Sequence, residues 1–90
     1  MMFTPIQNDQ YIHVCEILKA MGIAYESLYG HDFHPKGYDF WWVRVGIFGC
    51  TFFVHIVPDG TLWWSSGEER ARVITINELA GEIRSLRSRI

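Results

Sequence analysis

Two histidines three residues apart, in His31-Asp32-Phe33-His34, are the first place where this sequence offers chemistry. Imidazole is a common zinc ligand, and Asp32 or a distant Cys50 would extend the set. Two ligands are too few for a metal centre, and no Cys-x-x-Cys accompanies them. The segment reads as a polar loop, so no metal and no cofactor is expected. His55 with Cys15 or Cys50 would suit a thiolate nucleophile activated by imidazole. The strand pattern derived below sets His55 and Cys50 on opposite faces, and Cys15 falls in the apolar stripe of a helix. A catalytic cysteine is therefore not expected. Acid–base catalysis needs carboxylates converging in a cleft. Asp32, Asp39 and Asp59 fall in loops or turns, and Glu68-Glu69 is a solvated pair. No glycine-rich phosphate loop, serine elbow or His-Glu-x-x-His helix occurs. The expectation is a protein that is not an enzyme.

Arg70, Arg72, Arg84, Arg87 and Arg89 make the carboxyl end basic, which would suit a phosphate backbone. They are interleaved with Glu68, Glu69, Glu78 and Glu82, the pattern of a solvated, salt-bridged face. The formal net charge of the whole chain is −2. Nucleic-acid binders show a basic domain or stripe, so nucleic acid is a disfavoured partner.

The aromatic content is unusual. Six Phe, four Trp and four Tyr make up 16% of 90 residues. Several stand side by side, as Phe40-Trp41-Trp42, Phe52-Phe53 and Trp63-Trp64. Successive strand residues point to opposite faces, so such pairs place large rings on both sides of a sheet. A chain this short builds one core and does not readily cover both faces.

The elements that position these residues follow from local patterns. Thr4-Pro5-Ile6-Gln7 is a capping box with proline at the first helical position. Tyr11, Val14, Cys15, Leu18 and Met21 then recur at helical spacing, widened by Ile12 and Ile17. Gly22 suits a helix stop. Residues 24–29 read as a strand with Ala24, Glu26 and Leu28 on one face, and residues 30–37 as a loop. Strands follow at 40–48, 50–57 and 61–65, with a short edge strand at Arg72-Val73-Ile74. Pro58-Asp59-Gly60 is a strong turn signal. Thr75-Ile76-Asn77-Glu78 is a second capping box, ahead of a stripe of Ile76, Leu79, Ala80, Ile83 and Leu86. The expectation is a single α+β domain over residues 1–90. It has two layers, an antiparallel sheet of three to five strands with an amino-terminal and a carboxy-terminal helix on one face, in the order α-β-β-β-β-α.

The turns also set a register. A three-residue Pro-Asp-Gly loop pairs Ile56 with Leu62, His55 with Trp63 and Val54 with Trp64. A two-residue turn at Phe48-Gly49 pairs Val45 with Phe52, Val43 with Val54 and Trp42 with His55, although Phe48 is a poor residue for such a turn. One face then carries Trp41, Val43, Val45, Ile47, Phe52, Val54, Ile56, Leu62 and Trp64, all apolar. The other carries Phe40, Trp42, Arg44, Phe53, His55, Val57, Thr61, Trp63 and Ser65. On that mixed face, Phe40, Trp42, Arg44, Phe53, His55 and Trp63 are the candidate protein-binding residues. Loop 30–37 or the Met1-Met2-Phe3 segment would have to fold across it to cover it.

The helix–strands–helix order is similar to that of double-stranded-RNA-binding domains. Those carry a lysine cluster where this chain has Thr75-Ile76-Asn77-Glu78, so their function is not implied. The favoured function is protein binding through the aromatic face, by a homodimer or by an inhibitor or immunity-type protein that blocks a target; the latter comparison rests on small size and mild acidity. The alternatives are single-stranded nucleic-acid binding by base stacking on that face, and a metal site in the 31–34 loop. Cys15 and Cys50 read as buried, reduced thiols, there is no signal segment, and no apolar run reaches the ~20 residues of a membrane span. The expected compartment is the cytoplasm.

Overall fold

The computed structural model describes residues 3–32, 37–66 and 70–88. Helix α1 (Pro5–Ala20) leads into β1 (Ala24–Asp32), β2 (Tyr38–Ile47), β3 (Cys50–Ile56), β4 (Leu62–Ser66) and β5 (Arg72–Ile74), and helix α2 (Ile76–Arg87) closes the chain. The five strands form one antiparallel sheet in sequential order, β1-β2-β3-β4-β5. The protein is α+β, with two helices and an open sheet, as the patterns require.

Both helices start on the expected caps. Thr4 and Thr75 accept from the N–H groups of Gln7 and Glu78, whose side chains accept in return from the cap N–H groups. The apolar stripes then close onto one face. Val14 and Leu18 from α1, Leu79 and Ile83 from α2, and Val43, Val45, Val54, Ile56, Leu62 and Trp64 from the sheet form one buried cluster. Trp41 and Phe52 lie on the same face, half-buried at the rim of the cluster. Phe52 stacks on Trp64 at 5.1 Å, and Trp41 is sandwiched between Phe3 at 4.5 Å and Tyr11 at 4.1 Å. Phe3 therefore belongs to the helix side of the sheet and does not cover the opposite face. Ile12, expected to widen the α1 stripe, is half-exposed at 49%.

The registers follow the turns. Ile47 pairs with Cys50 around Phe48-Gly49, both of which take left-handed φ values, 49° and 77°. This is the primed geometry that matches strand twist. For Phe48 it costs about 1–2 kcal/mol, which the matched hairpin offsets. At the next turn Val57 donates to the Thr61 carbonyl, Gly60 has φ 87°, and Asp59 accepts from the Thr61 N–H.

Pro58 sits where the β2–β3 ladder would continue opposite Asp39, and it has no N–H to give. Gln7 supplies the missing donor. Its Nε2 donates to the carbonyls of Asp39 and Ile56 at 2.8 Å each, and its Oε1 accepts from the Thr4 N–H at 3.1 Å. Thr4 Oγ1 also donates to the Pro58 carbonyl. Gln7 is fully buried yet satisfied, and α1 is fastened where Pro58 interrupts the ladder.

Two expectations are corrected. Residues 30–32 extend β1 to Asp32, paired with residues 38–40, where a loop was expected. Cross-strand partners outweigh the glycine. Phe40 covers Gly30 so closely that a Cβ there would lie 2.6 Å from its Cζ, and His31 Nδ1 lies 2.8 Å from Asp39 Oδ1. Cys50 is exposed rather than buried, because it closes the hairpin at the sheet's end; Cys15 is half-buried, and both are free thiols.

Candidate functional site: the open face of the sheet

The face turned away from both helices is built in rows, one residue from each strand. The central row is Leu28, Trp42, His55, Trp63 and Val73, each opposite the next across β1 to β5. The adjacent row is Glu26, Arg44, Phe53 and Ser65. Phe40 stands on the other side, opposite Gly30. All six candidate residues, Phe40, Trp42, Arg44, Phe53, His55 and Trp63, thus share this face, as the registers require.

The rings are mutually packed. Trp42 lies 5.2 Å from Phe53 and stacks with the His55 imidazole at 5.4 Å, while Phe40 meets His55 edge-on at 5.1 Å. This packing half-buries Phe40, Trp42, Phe53 and His55. It does not cover the end of the row, where Trp63 is 38% and Val73 55% exposed. Burial pushes the His55 imidazole below its ordinary pKa of 6.5, because apolar rings disfavour its charged form. The neutral ring is the resident species at neutral pH. Trp42 Nε1 is buried and has no hydrogen-bond partner among the described residues. Arg44, on this face, is tied to Glu26 on the neighbouring strand.

Leu28, Val73 and Glu26 complete the site beyond the six candidates. The alternation in residues 24–29 already groups Glu26 with Leu28, but no short turn fixes the β1–β2 register that sets them beside Arg44 and Trp42.

The other candidates stay apart. His31 is held against Asp39, and His34 lies outside the described residues. Among the described residues no three His, Cys, Asp or Glu side chains come together as a metal site would need. His55 and Cys50 lie on opposite faces of β3, separated by the strand parity that pairs Cys50 with Ile47 and His55 with Trp42. At the basic end, Arg72 bridges to Glu82 at 3.1 Å and Arg87 caps the Met21 carbonyl at 2.7 Å. Among the described residues no helix is long and apolar enough to cross a membrane. No protein-family model matches the chain, and neither a curated protein nor a solved structure matches it.

Proposed function

We propose that this chain is a small, non-enzymatic protein-binding module whose working surface is the open sheet face. The observation that carries the reading is the Leu28–Trp42–His55–Trp63–Val73 row, an apolar band across all five strands that neither helix covers and whose end remains exposed. Trp and Arg dominate binding energy at protein interfaces, and a mutually packed cluster loses little conformational entropy on docking. Trp63 and Val73 keep apolar surface exposed at the end of the row, beside the half-buried rings of Trp42 and Phe53. Trp42, Phe53 and Trp63 are the anchors, with Phe40 at the rim. His55 and the Arg44–Glu26 pair give polarity and direction. A protein partner is favoured over nucleic acid because Glu26 neutralises the Arg44 guanidinium, leaving that cation little charge for a phosphate backbone.

The test is capture by crosslinking in the source cells, then titration of the purified partner against wild type, Trp63→Ser and a helix-side control, Ile12→Ser. The expected result is at least about a thirtyfold loss of affinity for Trp63→Ser, the signature of a hot spot, and none for the control. Equal affinity for Trp63→Ser and wild type refutes the reading. So does binding at low salt of a single-stranded oligonucleotide that competes with no protein.

A further inference from the structure

We propose that His55 is a proton switch for the open face of the sheet: the neutral imidazole completes the apolar row that holds a partner, and the charged imidazole releases it. The inference rests on the protein-binding reading of that face and adds the condition under which the face lets go.

The position of the ring carries the argument. His55 is the middle residue of the Leu28–Trp42–His55–Trp63–Val73 row, so a partner seated across the row lies over it. Its surroundings are aromatic on both sides. Toward β2 it stacks with Trp42 at 5.4 Å and meets Phe40 edge-on at 5.1 Å. Toward β4 it stands directly opposite Trp63. Phe53 precedes it on the same face of its own strand.

Among the described residues no acid faces the ring. On β2 its charged neighbour is Arg44, a cation in the adjacent row. Glu26 lies one strand further away and is tied to Arg44. Asp39, also on β2, falls on the opposite face by strand parity and is held against His31. On β4 the neighbours are Trp63 and Ser65, neither of which titrates near neutral pH. Both helices pack on the other side of the sheet. A proton gained by His55 therefore meets rings and a cation, with no carboxylate to receive it. Burial in that setting already favours the neutral form in the free chain.

A partner covering the row removes the water that remains on the ring, so the bound state favours the neutral form further. A group whose pKa falls on binding releases its proton to the solvent when the complex forms. Affinity therefore declines as pH drops through the free-chain pKa. Only the neutral fraction is competent, so the limiting slope is about tenfold in affinity per pH unit. The attraction of the Trp42 ring for a charged imidazole is present before binding as well, and so does not offset this difference.

The experiment joins two measurements. An NMR titration of the free chain from about pH 8 to 4.5, with His55 assigned through His55→Gln, gives the His55 pKa. Calorimetric titration of the purified partner over the same range gives affinities for wild type, His55→Gln, His13→Gln and Trp63→Ser. Circular dichroism confirms the fold at each pH. His13, exposed on α1, is the helix-side control. The expected pKa is below 6.5, with wild-type affinity level above it and falling toward about tenfold per unit below it. His13→Gln should follow wild type, and the affinity of His55→Gln should not change with pH. A His55 pKa at or above 6.5 overturns the switch, and that result needs no partner. So does a wild-type affinity constant through the measured pKa, or a pH dependence that survives in His55→Gln. In each of these cases, lost binding by Trp63→Ser keeps the face as the docking surface. Equal affinity of Trp63→Ser and wild type removes the face and the switch together.

Discussion

Trp63 and Trp64 are neighbours in sequence and should respond to mutation as if they came from different proteins. Trp64 is 2% exposed, stacks on Phe52 and sits in the cluster under both helices. Truncating it to alanine loses its full burial and leaves a cavity, a cost of about 3–5 kcal/mol. That is a large share of the roughly 5–15 kcal/mol that holds a domain of this kind together. Trp63 keeps 38% of its surface in water. Its truncation removes ring contacts on an open face and creates no cavity, so the cost is about 1–2 kcal/mol at ~25 cal/mol per Å². Equilibrium urea unfolding of Trp63→Ala and Trp64→Ala, followed by far-ultraviolet circular dichroism, measures both. The midpoint of Trp64→Ala should fall well below that of Trp63→Ala, or the variant should be unfolded at zero denaturant. Equal costs, or a larger one at position 63, would show that the faces are assigned the wrong way round. The sheet's open side could not then be a binding surface.

Two further outcomes test the supports of that face. Gln7→Ala removes the donor that Gln7 supplies at the proline gap in the ladder, including its hydrogen bond to the Asp39 carbonyl. One buried and one part-buried contact to main-chain carbonyls and part of a cap are lost, so urea unfolding should show a decrease of about 2–4 kcal/mol, and less than about 1 would mean that water takes over the role. His55 has a folded-state pKa depressed below 6.5, so the unfolded chain takes up its proton first as pH falls. Stability from this residue is whole above pH 6.5 and declines below it until the folded form is protonated too. The difference in stability between wild type and His55→Gln should shrink as pH drops from 7.5 to 5, and a difference independent of pH would mean that the imidazole is solvated.

Much of the fold was legible because its decisive signals are local. The Pro58-Asp59-Gly60 turn and the Phe48-Gly49 turn each fix a strand register by counting outward from the loop, and the two counts agree on which residues share a face. The capping boxes at Thr4 and Thr75 need only four residues each. What was illegible depends on distant partners. Residues 30–32 carry a glycine and polar side chains and read as a loop; they are a strand because Phe40 and Asp39 lie across from them. Gln7 reads as a capping residue and is one, but its reach to the Asp39 carbonyl depends on where Pro58 falls in a ladder that local pattern does not show. The six candidate residues were found together because strand parity is a local property. Leu28 and Val73 were left out because they belong to the outer strands, whose registers no tight turn dictates.

The position of the helices explains why the open face of the sheet lies where it does. In a sheet whose strands run in chain order, the first strand is necessarily an edge, and α1 precedes it directly. Gln7 draws the start of α1 to the end of β3, so the helix crosses the sheet and descends on one side toward Met21. Arg87 of α2 donates to the Met21 carbonyl there, which brings the last helix onto the same side. Two helices are thus committed to one face by polar contacts at their ends, and the stripe residues Val14, Leu18, Leu79 and Ile83 fill the space between. No element remains among the described residues to cover the opposite face. Leu28 begins the row on that open face, on the strand at the margin of the sheet. Substituting Leu28 would therefore disturb the row at its β1 end. Trp63 lies at the row's other, exposed end, where it can be altered without touching the buried cluster.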